Sequence, residues 1–423
     1  MNYLEEDLPI ELPLVDSAII KVIGVGGGGG NAVNHMYRQG ITDVSFVVCN
    51  TDYQALAKSP VPTKIQIGKL GAGGKPEVAR AAAEENIEKI KDALKGTEML
   101  FITATMGGGT GTGASPVIAK AAREMGILTI GIVTIPFAFE LRRKIEQAMK
   151  GVVALSEHVD ALLVINNEKL REIYPELDFF NAYAKADDVL TNAAKGIAEI
   201  ITVPGHINID FADVHSIMKD GNVAIMNTGF ASGENRITKA IEDALNSPLL
   251  NTGDVSGASK ILFNLYCSAE HQFKMEEFEE IHQFMLKIDD AMDVIWGVTI
   301  DESLGENIKI TLIATGFDVS DIPGMPAKIK DGKPASETSG IEFTINGESI
   351  ISDEEAQAQK EKKEKELIEN AMGAYYGNKV IDEPEAEIEI DEPEDLPFIT
   401  LDDLEDDAKR EDIENTPAWK RQK

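Results

Sequence analysis

Residues 106–122, MGGGTGTGASPVIAKAA, follow the apolar run MLFITAT at 99–105. Five glycines and two threonines at 107–113 separate this strand-like run from a segment that favours a helix. The first turn of a helix presents free N–H groups and the positive end of the helix dipole, and glycine lets an anion approach without a Cβ in the way. A bare turn has no need of this alternation, so the stretch predicts a phosphate-binding loop between a strand and a helix.

A second glycine run, GVGGGGGNAVNHM at 24–36, also lies between a strand-like run and a helix-forming segment. Two phosphate loops indicate one polyphosphate ligand. The run also satisfies GxGxxG through Gly24, Gly26 and Gly29, and Asp52 follows 23 residues later, which imitates a dinucleotide-binding fingerprint. A Walker P-loop is excluded, because no GK[ST] follows either run.

Short apolar runs alternate with helix-patterned segments from 17 to 167, which predicts a parallel sheet. The runs occupy 18–25, 44–50, 64–67, 99–105, 127–135 and 161–165. Residues 76–94 begin with proline and are rich in alanine and glutamate, so they predict one helix. Residues 181–201 carry apolar side chains at helical spacing and predict a long helix that joins two domains.

We therefore expect an α/β protein with a Rossmann-like parallel-sheet domain, a long central helix, a smaller α+β domain and a disordered C-terminal tail. The expected parts are an extension at 1–16, the parallel-sheet domain at 17–180, the central helix at 181–204, the smaller domain at 205–318, an acidic flexible linker at 319–410 and a terminal peptide at 411–423. The linker prediction rests on its acidic, proline-bearing composition.

Charge and cysteine content narrow the function classes. With 73 acidic and 40 basic residues the formal net charge is −33, which disfavours binding to nucleic-acid backbones. The two cysteines lie far apart, so neither a disulfide framework nor a cysteine metal site is expected. Residues 1–14 lack the basic start of a signal peptide, and no uncharged run reaches transmembrane length, so we expect a cytoplasmic protein.

GGGTGTG at 107–113, preceded by GGGGGNAVN at 26–34 and followed by INIDFADV at 207–214, resembles the FtsZ family of tubulin-like bacterial cell-division GTPases. The resemblance covers about 17–318 and the last dozen residues. It implies a protein that binds GTP or GDP, assembles into the filaments of the division ring and hydrolyses GTP.

The resemblance also implies nucleotide contacts. Phosphate contacts are implied for Gly27, Gly28, Gly29, Gly30, Asn31, Gly108, Thr110, Gly111, Thr112 and Gly113. FAFE at 137–140 resembles the family's ribose-contacting motif and assigns that contact to Glu140, and Asp187 matches the position that reads guanine. A carboxylate can accept from the N1–H and amino groups of guanine. Taken alone, Glu140 could simply begin a charged helix, and Asp187 could lie on a solvated face.

Asn208, Asp210 and Asp213 place an amide and two carboxylates on a loop that enters a helix. Hydrolysis of a phosphoanhydride needs an oriented water and usually a metal, and two carboxylates can hold water or hydrated Mg²⁺. N-caps alone would also explain them. The resemblance implies that they complete the catalytic site of the next subunit in a head-to-tail filament, an arrangement of contacts that does not close.

The terminal peptide NTPAWKRQK at 415–423 is similar to the family's tail peptide, an apolar residue after Pro-Ala followed by basic residues. This implies binding to membrane-anchor and division-regulator proteins, and a cytoplasmic location at mid-cell. A disordered end with an incidental aromatic residue is the alternative. We expect no nucleic-acid partner and no direct membrane insertion.

The sequence departs from the family pattern in three places. Thr105 stands where the family usually has glycine before MGGGTGTG, and the loop would be strained if that position required a positive φ. Leu141 follows Glu140 where the family reads FEGxxR, and Lys144 takes the arginine position, which predicts a weaker phosphate contact. Only two residues, Lys69 and Leu70, separate IQIG from the loop at 71–74.

Two other functions remain open at this point. A filament scaffold would bind GTP with little hydrolysis, because the altered positions all touch the nucleotide end. A Rossmann-type oxidoreductase using NAD would explain GxGxxG and Asp52, but it leaves GGGTGTG without a purpose and lacks a catalytic histidine or tyrosine constellation.

Overall fold

The computed structural model describes residues 18–41, 43–68, 70–245, 258–285 and 292–317, together with eight residues between 365 and 376. The strands are β1 (Ile20–Val25), β2 (Val44–Asn50), β3 (Thr63–Gln66), β4 (Met99–Thr105), β5 (Leu128–Ile135), β6 (Ala161–Asn166), β7 (Asn222–Ala231), β8 (Lys260–Cys267), β9 (Asp293–Ile300) and β10 (Ile308–Thr315). The helices are α1 (Gly26–Arg38), α2 (Tyr53–Lys58), α3 (Pro76–Glu85), α4 (Ile87–Leu94), α5 (Thr110–Glu124), α6 (Arg142–Ser156), α7 (Asn167–Ile173), α8 (Phe179–Thr202), α9 (Phe211–Met218), α10 (Arg236–Leu245) and α11 (Phe278–Met285).

These strands form one sheet with the order β3-β2-β1-β4-β5-β6-β7-β10-β8-β9. The six predicted strands β1–β6 are present and pair in parallel, which confirms the α/β fold class. β10 runs antiparallel to both β7 and β8, so the second half of the sheet is mixed. The strand order reverses between β1 and β4, and ligands of open α/β sheets bind in the crevice outside the carboxyl ends of the strands at that point.

Helices cover both faces of the parallel strands, because the apolar runs are buried on both sides. One core contains α3–α6 side chains such as Ile90 and Ile118. The other contains residues of α1, α8 and α9, such as Met36, Leu190 and Ile217. This arrangement leaves the carboxyl ends of the parallel strands, together with the loops that follow them, as the open side of the sheet. We call this side the open edge of the sheet.

Two elements differ from the predictions. The helix expected at 76–94 is divided at Asn86, whose backbone leaves helical geometry (φ −107°, ψ 19°) while its side-chain amide donates to the carbonyl of Ile67, 3.1 Å away. Strand β7 was not predicted, because NTG interrupts its apolar pattern. Asn227 is nevertheless buried there, since its amide donates to the carbonyl of Ala244 at 2.6 Å. The predicted long helix corresponds to α8.

The acidic linker predicted at 319–410 lies mostly outside the described residues. Within it, the described residues between 365 and 376 are helical, and four apolar or aromatic side chains are buried: Ile368, Met372, Tyr375 and Tyr376. These residues therefore differ from the solvated linker that composition predicts. No described helix is both long enough and apolar enough to cross a bilayer.

Phe101 in the middle of β4 is fully buried, so Phe101→Ala should lower the free energy of unfolding by about 3–5 kcal/mol. Phe230→Ala is the matched control, because that phenylalanine is 55% exposed on β7, and its loss should be about 1 kcal/mol or less. Urea unfolding followed by circular dichroism measures both. Equal losses would contradict the placement of Phe101 in the core.

Candidate functional site

The two glycine runs begin helices α1 and α5 at the open edge of the sheet. Neither helix has a side-chain cap or an acidic residue in its first turn, whereas α2, α7, α8 and α9 are capped by aspartate or asparagine. The first N–H groups of a helix have no partner within it, and its dipole is positive at that end. Because the N-termini of α1 and α5 are uncapped, their free N–H groups and the positive ends of their dipoles are available to an anion.

The two runs are in direct contact. Gly26 has φ +77°, and a Cβ at this position would lie 2.8 Å from the backbone nitrogen of Gly111. A Cβ on Gly111 would lie 2.6 Å from the carbonyl oxygen of Thr105. Glycine is required here because the backbones approach too closely for any side chain. The predicted phosphate residues of the two runs are thus brought together.

Other predicted glycines face open space. Around Gly27, Gly30 and Gly108, nothing lies within 4 Å of the position that a Cβ would occupy. Gly27, Gly30 and Asn31 line a cavity of about 290 Å³ that also reaches residues after β2, including Asp52. Within the first glycine run, Gly26 therefore lies in close contact with the second run, whereas Gly27 and Gly30 face open space.

Threonine hydroxyls order the second run. Gly107, with φ +93°, donates its N–H to Oγ1 of Thr112 at 2.9 Å. The hydroxyl of Thr110 lies 2.8 Å from that of Thr51, which follows β2. Thr105 is the last residue of β4 and is absent from the positive-φ positions of the described chain, so the conditional strain expected there does not arise.

The predicted ribose-contacting residue Glu140 ends a short 3-10 helix after β5. Its Oε1 accepts from the backbone N–H of Phe137 at 2.9 Å, and its Oε2 pairs with the ammonium of Lys144. The N–H of Ala138 donates to Glu168 at 3.1 Å. Lys144 thus neutralises Glu140 in this structure, and the predicted lysine–phosphate contact stays a prediction.

Leu141 has φ +71° and ψ 155°, a region that is essentially restricted to glycine. The family's glycine at this position would adopt that conformation freely, whereas leucine costs about 1–3 kcal/mol. The strain lies between the 3-10 helix and α6. The loop at 136–142 must therefore be held by its surroundings.

Asp187 lies within α8, one turn after Tyr183, whose ring packs 5.1 Å from that of Phe137. Burial and the neighbouring charge of Asp188 raise the pKa of Asp187 to about 7. Asp188 itself pairs with His35 of α1 at 3.0 Å. These contacts place Asp187 on the part of α8 that lies beside Glu140 and α1.

The predicted catalytic residues lie beyond the other end of α8. Asp210 and Asp213 form a reciprocal cap, in which each carboxylate accepts the backbone N–H of the other at 3.0 and 2.9 Å. Asn208 accepts the N–H of Gly205 at 3.1 Å. The capping alternative is therefore realised, although one oxygen of each carboxylate has no partner among the described residues.

These acids and the glycine runs are not brought together within one chain. Tyr183 contacts Phe137 at the open edge, and Thr202 lies about 28 Å further along α8 at 1.5 Å per residue. The helix that the acids begin, α9, leads to Lys219, which pairs with Asp160 at the amino end of β6 at 2.8 Å. Among the described residues, no contact joins the acids to either glycine run.

Sequence reasoning missed Gln147. Its amide donates to the carbonyls of Gly107, Gly74 and Gly108 at 2.9, 3.1 and 3.2 Å. Gln147 therefore joins α6 to both the glycine run at 107–113 and the loop at 71–74. A glutamine one turn after Lys144 on the same helix was the available signal. Glu168, with an almost completely buried carboxylate that anchors Ala138, was missed as well.

Comparisons with known proteins agree with this geometry. Residues 19–175 match the model of the Tubulin/FtsZ family GTPase domain, and residues 222–318 match the FtsZ family C-terminal domain. The chain is 53% identical to cell division protein FtsZ of Porphyromonas gingivalis over 325 residues, which is 75% of this chain and 69% of that protein. It is 44% identical to FtsZ of Azotobacter vinelandii over 79% of this chain and 86% of that protein.

Solved structures give the same result. The FtsZ dimer of M. jannaschii is 39% identical and superposes with a TM-score of 0.66 over 77% of this chain and 95% of that one. CetZ2 from Haloferax volcanii, at 20% identity, shares the fold with a TM-score of 0.60 over 70% of this chain and 93% of that one.

Gly29→Ala and Gly27→Ala should separate folding from anion binding. A Cβ on Gly29 would lie 2.2 Å from the carbonyl oxygen of Thr103, so this variant should lose about 1–3 kcal/mol of stability by overpacking. Gly27→Ala meets nothing within 4 Å and should unfold at the wild-type urea concentration. Its methyl group should nevertheless weaken binding of a nucleoside triphosphate by at least roughly tenfold, measured by titration calorimetry. Wild-type binding by Gly27→Ala would exclude a phosphate at that position.

Proposed function

The chain belongs to the tubulin/FtsZ family, and we propose that it hydrolyses GTP at the junctions of a head-to-tail filament, with Asp210 and Asp213 of one subunit acting on the nucleotide of the next. The family establishes the class of activity: the chain is a GTPase and a GTP-dependent polymerising protein of cell division. The comparisons do not favour a non-hydrolysing scaffold or an NAD-dependent oxidoreductase.

The phosphates of GTP would bind at the starts of α1 and α5. Support comes from the two uncapped helix N-termini, the open space above Gly27, Gly30 and Gly108, and the contact between the runs at Gly26. Backbone N–H groups in the first turns of the two helices, those of Gly27, Gly28, Thr110, Gly111 and Thr112, would supply the donors, whereas the N–H of Gly113 already donates to the carbonyl of Gly109 at 3.0 Å. No Walker lysine is needed, because fixed dipoles face the anion.

Glu140 would hold the ribose, and Asp187 would read the base. The ionised carboxylate of Asp187 would accept from the N1–H and amino groups of guanine. This assignment is supported by the location of Asp187 one turn from Tyr183, which itself lies against the loop of Glu140. Adenine presents no N1–H, so the carboxylate would select guanine.

Catalysis in trans follows from where the acids lie. Asp187 near the start of α8 and Asp210 beyond its end are separated by a helix segment of about 22 Å between 187 and 202. One chain therefore cannot apply its own acids to its own nucleotide. Stacking identical chains along this axis would bring the acids of one chain to the nucleotide of its neighbour, and such heterologous contacts generate a filament.

Mg²⁺ would be held by GTP oxygens together with the carboxylate oxygens of Asp210 or Asp213 that the cap leaves unused. This donor set suits Mg²⁺, which is usually bound by one or two carboxylates and substrate phosphates. No group of three or more metal-binding acids, histidines or cysteines occurs in the described ranges. When bound, Mg²⁺ would neutralise charge on the phosphates, while the two carboxylates orient the attacking water.

The remaining partners are proposed from the tail. The peptide at 411–423, which lies outside the described residues, would bind membrane-anchor and division-regulator proteins and so bring the cytoplasmic filament to mid-cell. The linker at 319–410 would act as the tether. Neither nucleic acid nor direct membrane insertion is part of this proposal.

Asp210→Asn should abolish hydrolysis while leaving assembly intact. An asparagine oxygen can still accept the N–H of Asp213, so the cap survives and only the charge is lost. With GTP and Mg²⁺, the variant should sediment like the wild type but release phosphate at least roughly a hundredfold more slowly. Asp301→Asn changes another helix-capping aspartate and should match the wild type in both assays.

Two outcomes would contradict this assignment. If Asp210→Asn filaments released phosphate at the wild-type rate, Asp210 would only cap helix α9 and would have no role in hydrolysis. Sedimentation of the wild type without phosphate release would support the scaffold instead.

GTP affinity should fall as pH drops from about 8 to 6, because Asp187, with a pKa of about 7, becomes protonated and can no longer accept both guanine hydrogens. Asp187→Asn should remove this dependence. It should also shift preference toward xanthosine triphosphate, whose 2-oxo group accepts from the amide. Calorimetric titration at several pH values measures both effects, and a flat wild-type profile would contradict the role of Asp187.

In the nucleotide-free protein, a rise in pH should lower stability through the Asp187 carboxyl, whereas the same rise should increase the affinity for GTP. Between its usual pKa of 3.8 and about 7, the folded state holds more protons than the unfolded state, so stability falls as pH rises. Asp187→Asn should flatten that decline in urea unfolding. An unchanged slope would mean that Asp187 titrates normally.

A further inference from the structure

Helix α6 packs against β5 and β6 on one face of the sheet, and a later segment of the chain is buried on the same side. The helices that follow β6, α8 and α9, pack into the core that contains Leu163 and Ile165, whereas the alternate residues Leu162 and Val164 face the other core. Described residues between 365 and 376 contribute to that second core and contact Asn166 at the carboxyl end of β6. Ile368, Met372, Tyr375 and Tyr376 belong to the same buried cluster as Leu162.

The spacing of these four residues is that of a helix face, i, i+4, i+7 and i+8, so one stripe of the segment is apolar. All four are between 3% and 6% exposed, while Glu369 and Asn370 point outward. The described residues of this segment therefore add to the core on the α6 side of the sheet. We name the described residues of this segment, 368–370, 372, 373, 375 and 376, the clasp.

Three polar contacts join the clasp to the loop at 136–142 or to Asn166 at the end of β6. The hydroxyl of Tyr376 donates to the buried carbonyl of Pro136 at 2.5 Å, where β5 ends. The side-chain amide of Asn166 donates to the carbonyl of Tyr375 at 2.7 Å. Arg142, the first residue of α6, pairs with Glu369 at 3.3 Å.

These contacts bracket the loop that needs support. Pro136 lies at one end of the loop at 136–142 and Arg142 at the other, and between them are Glu140 and the strained Leu141. Asn166 also accepts the N–H of Glu168, which anchors the N–H of Ala138. Each of the three polar contacts of the clasp thus reaches this loop, two of them directly and the third through Asn166 and Glu168.

The electrostatic setting agrees with a hydroxyl that remains a donor. Burial first, and then the nearby carboxylates of Glu140 and Glu168, raise the pKa of Tyr376. Its proton is therefore retained at physiological pH and stays available to the carbonyl of Pro136.

We propose that the clasp positions the loop at 136–142 for the ribose of the bound nucleotide, so that a segment of the tail sets nucleotide affinity. Tyr376 and Glu369 are positioning residues, since they act through Pro136 and Arg142 and do not reach the cavity. The proposal rests on the proposed function, in which Glu140 contacts the ribose.

The full chain carrying Tyr376→Phe together with Glu369→Gln tests this. The double variant keeps the buried ring and removes only the hydroxyl donor and the charge. Tyr37→Phe, a 40% exposed tyrosine on α1, is the matched control. Thermal unfolding verifies that all three proteins are folded at the assay temperature.

The first measurement is hydrogen exchange of nucleotide-free protein. Amides of Phe137, Ala138 and Glu140 should exchange roughly tenfold faster in the double variant, the effect of one lost hydrogen bond to a buried carbonyl, while amides of β1 and β4 should not change. Unchanged exchange in the loop would overturn the clasp whether or not the protein binds GTP.

The second measurement compares GTP with 2′,3′-dideoxy-GTP, which lacks the ribose hydroxyls. The double variant should bind GTP roughly tenfold more weakly and the dideoxy analogue as the wild type does. A purely structural role would weaken both nucleotides equally and would overturn the proposal.

A wild type that binds GTP and the dideoxy analogue equally would instead contradict the ribose contact of Glu140, and with it the nucleotide-positioning role of the clasp. Absence of any GTP binding by the wild type would contradict the proposed function itself. The exchange result would then still decide whether the clasp holds the loop.

Discussion

The site depends on two helix N-termini that meet at one point of the sheet edge. α1 and α5 begin without side-chain caps, and the backbones of Gly26 and Gly111 approach within a distance that excludes a Cβ. Each uncapped start would be unfavourable in isolation, because its N–H groups lack partners. Together they form a fixed, positively polarised surface, and in the proposed function a polyphosphate would accept hydrogen bonds from the N–H groups that folding leaves unpaired.

The same glycines serve folding and binding through different neighbours. Gly29 lies against the carbonyl of Thr103 and allows α1 to pack on β4, whereas Gly27 faces the cavity. We therefore expect two glycines of one run, separated by a single residue, to act differently, Gly29 on stability and Gly27 on affinity. The loop at 136–142 differs, because Leu141 occupies a conformation in which only glycine would be unstrained. The contacts of Glu140, Glu168 and the clasp hold this loop in place.

In the proposed function, the long helix α8 separates the residue that would recognise guanine from the residues that would act in hydrolysis. Its first half carries Asp187 beside the nucleotide loops, and beyond its far end Asp210 and Asp213 close a cap on α9. A rigid helix of 24 residues keeps these groups apart in any single chain. Under this proposal, hydrolysis would be coupled to assembly without a conformational change, because a second copy would supply the acids that the first chain cannot bring to its own nucleotide.

Local chemistry in the sequence was enough to predict the six parallel strands, the central helix and the two phosphate loops, because apolar runs and glycine-rich strand-to-helix turns depend on neighbouring residues alone. Glu140 and Asp187 were singled out only through resemblance, since a lone carboxylate has no distinctive pattern, whereas Asp210 and Asp213 stood out as paired carboxylates on a loop that enters a helix. Long-range contacts determined the rest. The break at Asn86 depends on the carbonyl of Ile67, and Gln147 acquires its role from carbonyls of two distant loops. The burial of Tyr375 and Tyr376 depends on a core that α6 and strands distant in sequence build on one side of the sheet. Such features arise when segments distant in sequence meet, so the tertiary structure alone decided them.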